Sequence, residues 1–343
     1  MDRLDYTSLS TIPISYATCS LGNTSNPPPL LERLHAISAA GLSAVELSFP
    51  DILSYAQTLR GHDVEPSDYQ ALCEVAAEIR HECSKRNLSM GSHARDEALD
   101  RARGWIRIMH SSGTDMLQVG STDSPLEKLD KNKIVSDLQD LCDMLKEHGF
   151  RLAYENWCWS THAPNWKDVW AIVKHVDRPN IGLCLDTFQT AGGEWTDPRT
   201  HSGLLEHISR HELEEQFKRS LEDLSHMVPK DKIYLLQISD GYRVPQPFGI
   251  ERDDAGLLPR GRWSHSFRPL PYNGGYLPVV DVVAAVLKTG FRNWFSYEVF
   301  DGGPNGIDKE VDIFAYALTA KNVQDRLLAE CARQNATETV GTR

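Results

Sequence analysis

Four oxygen-bearing side chains close four successive apolar runs in the second half of the chain: Glu155, Asp186, Gln237 and Glu298. A carboxylate at the end of an apolar strand needs a partner. Carboxylates gathered from neighbouring strands repel one another unless a cation stands between them. Oxygen donors without a thiolate are hard ligands. They suit Mg²⁺, Mn²⁺ or Co²⁺ over a structural zinc site, with zinc kept as an alternative. A single acid at such a place could equally pair with an arginine or cap the next helix. Recurrence of the position on consecutive strands is what favours a metal. Glu46 ends an earlier run, far from the other four in the chain, and is expected in a structural or supporting role.

Two connections carry further chemistry. Asn156–His162 holds Trp157, Trp159 and a single histidine, a lining that suits a flat or ringed substrate. The alternative is that the two indoles pack on a neighbouring helix. The stretch 241–277 is far longer than the roughly two to six residues usual between a strand and a helix. It carries Arg260, Arg262, Trp263, His265, Arg268, Tyr272 and Tyr276. Arginines above a metal site suit an anionic substrate, and the stretch is expected to form a lid. A solvated surface excursion is the alternative, and Trp263 and Tyr276 speak against disorder. His162 and His265 are the candidate bases, because imidazole titrates near neutral pH.

These residues need a scaffold that brings strand ends together. Short β-branched or aromatic runs alternate with amphipathic stretches of helical length. Strands are expected from Ile14, and at Ala44–Phe49, Leu88–Met90, Met116–Val119, Arg151–Glu155, Ile181–Asp186, Ile233–Gln237 and Trp294–Val299. Helices are expected at Leu30–Ala40, Ser67–Arg86, Arg95–Ser111, Asn132–His148, Trp166–Val176, Ser209–Met227, Val279–Thr289 and Asp308–Cys331, with a polar tail over 332–343. Eight strand–helix units imply parallel pairing and right-handed crossovers, hence a single (β/α)8 TIM barrel with its core at about 14–328. The third unit is expected to be short or irregular. An open doubly wound sheet is disfavoured, since no GxGxxG follows the first strand.

The composition narrows the function classes. The net charge of −12 over 343 residues argues against phosphate-backbone recognition and against an anionic membrane surface. No apolar run reaches the ~18–20 residues of a membrane span. The acidic start Met1-Asp2-Arg3-Leu4-Asp5 reads as no signal peptide, and seven scattered cysteines without a CxxC pair suit a reducing, cytoplasmic setting. The partner expected is a small anionic or polyhydroxylated molecule, with the oligomeric state left open.

The segments Tyr154-Glu155-Asn156-Trp157-Cys158-Trp159, Cys184-Leu185-Asp186-Thr187-Phe188, Leu236-Gln237-Ile238-Ser239-Asp240 and Tyr297-Glu298 resemble those of the xylose-isomerase-like TIM barrels. Within that superfamily the chain is most similar to the fungal 3-dehydroshikimate dehydratase-type proteins, through Glu155 to His162 and Gly275 to Val279. The resemblance implies a divalent metal on Glu155, Asp186, Gln237 and Glu298, and a lyase that dehydrates a hydroxylated cyclic keto acid through an enolate. His162 and His265 are then the catalytic candidates. Trp157, Trp159, Gln189, Arg262, Arg268 and Tyr276 are the expected substrate-binding residues, with Arg268 on the substrate carboxylate. Many epimerase relatives carry histidine where this chain has Trp157 and Gln189, which counts against the alternative of a sugar or polyol isomerase. A non-catalytic barrel and an abasic-site endonuclease are the remaining readings.

Overall fold

A computed structural model describes residues 4–23, 26–93, 99–125, 130–307 and 310–341. Its strands are β1 (Ile14–Ala17), β2 (Ala44–Ser48), β3 (Ser89–His93), β4 (Met116–Gly120), β5 (Arg151–Glu155), β6 (Ile181–Asp186), β7 (Ile233–Ile238), β8 (Phe267–Arg268), β9 (Phe295–Tyr297) and β10 (Phe300–Asp301). All strands but β8 and β10 pair in parallel in chain order, and β9 pairs with both β7 and β1, which closes the barrel. The helices are α1 (Tyr6–Leu9), α2 (Leu30–Ala39), α3 (Phe49–Arg60), α4 (Tyr69–Lys85), α5 (Leu99–Ser112), α6 (Lys131–Glu147), α7 (Trp166–Val176), α8 (Thr187–Glu194), α9 (Arg210–Met227), α10 (Pro259–Ser266), α11 (Val279–Lys288) and α12 (Ile313–Gly341). Among the described residues no helix is long and apolar enough to cross a membrane.

Alternation along each strand separates two environments. Leu152 and Tyr154 of β5, Leu183 and Leu185 of β6, and Leu236 of β7 join the large core that the helices cover. Their strand neighbours Ala153, Cys184 and Leu235 form a separate small cluster with Met116. Glu155, Asp186 and Gln237 each lie two residues beyond that small cluster, on the same face, at the C-terminal ends of their strands. Catalytic groups of such barrels sit at that end.

The local signals explain most boundaries. Ser209 caps α9 with a complete capping box to Glu212, and Asn165 caps α7. Gly41 and Gly149 close α2 and α6 at positive φ (81° and 74°), a conformation that costs any side chain bearing a Cβ.

Five expectations are corrected. The third strand is not shortened, since at five residues it matches β2, β4 and β5. It begins at Ser89 and pairs with β2 at five positions and with β4 at two. Gly91-Ser92-His93 has weak strand propensity, which pairing on both edges overrides. The expected start of the next helix, at Arg95, lies outside the described residues. The cap of α4 is Asp68, whose carboxylate accepts from the Ala71 N–H, and not Ser67. Helix α3 was not expected, although Ser48 caps it and Pro50 stands in its first turn, where a missing N–H costs nothing. The long stretch after β7, expected as a lid, carries secondary structure that the sequence did not mark. It contains α10 and then β8, which pairs antiparallel with β10. Finally, the segment read as a polar tail continues α12 to Gly341, because no proline or glycine interrupts it before that residue.

Candidate metal centre

Closure of the barrel brings one ligand oxygen each from Glu155, Asp186 and Glu298 within 4.8 Å of one another, and all three side chains are buried. Each carboxylate has a distinct set of partners. Glu155 Oε2 accepts from the Gln118 amide and the Trp157 indole, both at 3.0 Å. Its Oε1 is buried with no hydrogen-bond partner. An unpartnered anionic oxygen away from water is costly, and a cation is the partner that removes the cost. Asp186 caps α8, with Oδ1 accepting from the Phe188 and Gln189 N–H groups at 2.6 and 3.1 Å. Its Oδ2 accepts from Arg268 Nη2 at 2.5 Å, and Arg268 Nη1 lies 3.0 Å from Glu298 Oε2. The donor set therefore fits a hard divalent cation.

The electrostatics match this crowding. Burial raises the Glu155 carboxyl well above the usual range, and the Glu298 and Asp186 charges add to the rise. Burial lifts Asp186 to about 6 against the lowering pull of Arg268. Glu46, lifted to about 8, is raised first by burial and then by Glu298.

Glu46 faces this cluster more closely than its chain position suggests. Its carboxylate accepts from the Gln237 amide at 3.2 and 3.4 Å. The signal was the inward register of β2, where Glu46 stands beside Ala17 of β1. Gln118 was missed altogether, although as the inward residue of β4 it pairs with Ala153. Gln237 bridges Glu46 and the Gln118 carbonyl, and its own carbonyl accepts from Cys184 Sγ at 3.4 Å. The converging group is thus a trio of carboxylates, with the Gln237 amide beside it.

Arg268 is fully buried, with Nε on Ser239 Oγ at 3.0 Å and its guanidinium between the Phe188 and Phe300 rings. The Trp157 and Trp159 rings stack at 5.3 Å, and His265 lies 6.0 Å from Trp159 and 6.2 Å from Phe300. His265 Nδ1 lies 2.6 Å from the Gly261 carbonyl, to which it donates. Arg268 and Trp157 touch the acids directly, and Trp159 and His265 are linked to them through these ring contacts.

The structure does not bring the other expected residues there. His162 hydrogen-bonds Tyr154 on the helix side of β5 and lines a separate cavity of about 310 Å³ with Lys131, Asp168 and His175. The side-chain alternation of β5 puts Tyr154 and Glu155 on opposite faces, so His162 is withdrawn as a candidate base. Gln189 uses its carbonyl to hold the Cys158 N–H at 3.0 Å and so braces the tryptophan loop. Arg262 donates to the Gly249 and Glu251 carbonyls, and the Tyr276 hydroxyl to the Gly203 carbonyl. Both hold loops and do not reach the acids.

Gly120 explains how Trp157 reaches Glu155. A Cβ at Gly120 would lie 2.1 Å from the indole. Gly120→Ala is therefore expected to displace the ring and break its bond to Glu155. The expected cost is about 1–3 kcal/mol of stability, as for overpacking, together with an altered tryptophan fluorescence. Unchanged fluorescence and unchanged denaturation would refute this placement.

Fold and site together define a barrel enzyme scaffold with a carboxylate-rich centre at its C-terminal mouth. A profile of the xylose isomerase-like TIM barrel family matches residues 34–317, and the chain belongs to that family. A 3-dehydroshikimate dehydratase of Neurospora crassa is 30% identical, over 91% of this chain and 94% of its own length. A 3-dehydroshikimate dehydratase of Pseudomonas aeruginosa is 29% identical over 84% of this chain, which spans only 38% of that longer protein. Among solved structures, the IOLI protein with a bound zinc atom superposes with a TM-score of 0.62 at 15% identity, covering 93% of this chain and 99% of its own. That last likeness is one of fold.

Proposed function

We propose that this chain is a divalent-metal-dependent lyase that dehydrates a hydroxylated cyclic keto acid such as 3-dehydroshikimate. The observation that carries the reading is the unpartnered, buried Oε1 of Glu155, on a carboxylate that converges with Asp186 and Glu298. Likeness to dehydratases over nearly the whole length supports the substrate class. Glu155, Asp186 and Glu298 would hold Mn²⁺, Mg²⁺ or Co²⁺, with zinc as an alternative, beside the Gln237 amide. Once bound, such an ion supplies Lewis acidity to the substrate's ketone.

The remaining work falls to side chains of this chain. The stacked indoles of Trp157 and Trp159 offer a flat wall for a six-membered ring. Arg268 is the cation for the substrate carboxylate. His265 Nε2 accepts the proton α to the ketone. The electron pair of that C–H bond forms the new double bond, and the β-hydroxyl leaves with the proton as water. Enolisation of the remaining ketone then makes the ring aromatic.

The test is incubation of metal-loaded protein with 3-dehydroshikimate while aromatic absorbance is followed. Absorbance should rise, stop after chelation and return with Mn²⁺. No absorbance change with any of the four metals would overturn the reading. His265→Ala should slow turnover by roughly 10²–10⁴-fold, the usual share of a general base. An unimpaired variant would remove His265 from that role.

A further inference from the structure

We infer that a second binding site, for a small anion bearing carboxylate or phosphate oxygens, lies at the C-terminal end of the barrel outside the acid centre. Two adjoining cavities of about 510 and 340 Å³ form it. They share Arg243 and Pro304, and their walls come from the segments that follow β7, β8, β10 and α8. Cavities of this size suit small ligands.

The donors point to an anion. Arg210, Arg243 and His201 line the two cavities, and no carboxylate is among the lining residues, on a chain of net charge −12. The exposed Arg243 makes no hydrogen bond and no ion pair among the described residues. Trp195 stands in the same wall, and its buried indole N–H has no acceptor either. Arg210 lies 4.9 Å from the Trp195 ring centroid and pairs with Glu214 at 2.6 Å. Both members of that pair are exposed, so the carboxylate holds the guanidinium only weakly. Donors without acceptors, two of them on cations, are best met by negatively charged oxygens.

The loops hold these donors in place before a ligand arrives. Pro245 and Pro247 stiffen the chain just after Arg243. The Tyr276 N–H donates to the Gly241 carbonyl at 3.0 Å, and its hydroxyl to the Gly203 carbonyl at 2.7 Å. Gly203 leaves room for the Arg243 stem, since a Cβ there would stand 3.1 Å from Arg243 Cγ. Fixed donors lose less entropy on binding. The cavities are distinct from the acid centre, because none of its carboxylates, nor Arg268 or His265, lines them. Trp263 is fully buried and touches both Tyr276, in the cavity wall, and Phe188, beside Arg268.

Calorimetric titration of the metal-free chain with inorganic phosphate, at constant ionic strength, tests this. One saturable site per chain is expected. Arg243→Gln should weaken it at least about tenfold, the usual worth of a hydrogen bond to a charged group. A parallel titration with citrate tells whether phosphate or carboxylate oxygens are preferred. Binding of either that depends on Arg243 sustains the inference. Saturable binding of neither overturns it, and so does equal affinity in an Arg243→Gln chain whose circular dichroism matches the natural one. Both titrations run without metal, so their outcome is independent of the lyase reading.

Discussion

Replacing Asp186 by Asn should abolish Mn²⁺ binding and lower kcat/KM by about a thousandfold, which corresponds to ~4 kcal/mol of transition-state stabilisation. The fold should survive. Asn caps a helix as well as Asp does, and the Phe188 and Gln189 N–H groups keep an acceptor. The amide has no charge to offer a metal, and it leaves Arg268 paired with Glu298 alone. Glu298→Gln should behave alike from the other side of the cluster. Calorimetry with Mn²⁺, turnover and far-ultraviolet circular dichroism on both variants decide the matter. Metal affinity and turnover like those of the natural chain in either variant would remove the carboxylate trio from the chemistry. Loss of helical signal would mean instead that the acid is structural, and the metal reading would fail on that ground.

The second large effect lies at the same end of the barrel but outside the acid cluster. Arg33 of α2 reaches across to Asp51 of α3 with an ion pair of 2.8 Å in which both side chains are buried. Arg33 also donates to the Thr18 carbonyl. Asp51 Oδ2 accepts from the hydroxyls of Thr18 at 2.5 Å and Ser48 at 2.7 Å. The network thus ties the exits of β1 and β2 to two helices. Removing one partner of such a pair leaves a buried charge unpaired. Arg33→Met should therefore lower unfolding free energy by about 3–5 kcal/mol. Urea denaturation of the metal-free protein measures it. A loss below about 1 kcal/mol, the usual worth of an exposed pair, would mean that water already screens the pair. Because the carboxylate trio is untouched, the variant should keep its metal affinity.

Much of the site was legible in the chain because the cues were local. Glu155, Asp186 and Glu298 each follow an apolar run, and period-two alternation puts them on the face opposite their outward neighbours. The arginine-rich stretch stood out by running against an acidic composition, and Arg268 does reach the acids. The same local cues erred where orientation mattered. His162 shares its loop with Trp157 and Trp159, yet it bonds to Tyr154, the outward residue of β5. Arg262 and Arg268 are six residues apart and equally basic. One holds loop carbonyls and the other enters the barrel, because Arg262 lies on α10 and Arg268 on β8. Glu46 was set aside for being distant in the chain, although closure of the barrel makes distance along the chain irrelevant.

By itself the sequence determined the alternation of strands and helices, the barrel it implies, and the acids at the strand ends. Each of these depends on side-chain period or on groups within one turn of the backbone. Only the tertiary structure decided which acids converge, that Glu46 and Gln118 join them, that a Glu155 oxygen is left unpartnered, and that Arg268 occupies the centre. Those outcomes follow from closing eight strands into a ring, which sets distances between residues more than a hundred positions apart and leaves each buried charge to find its partner in space.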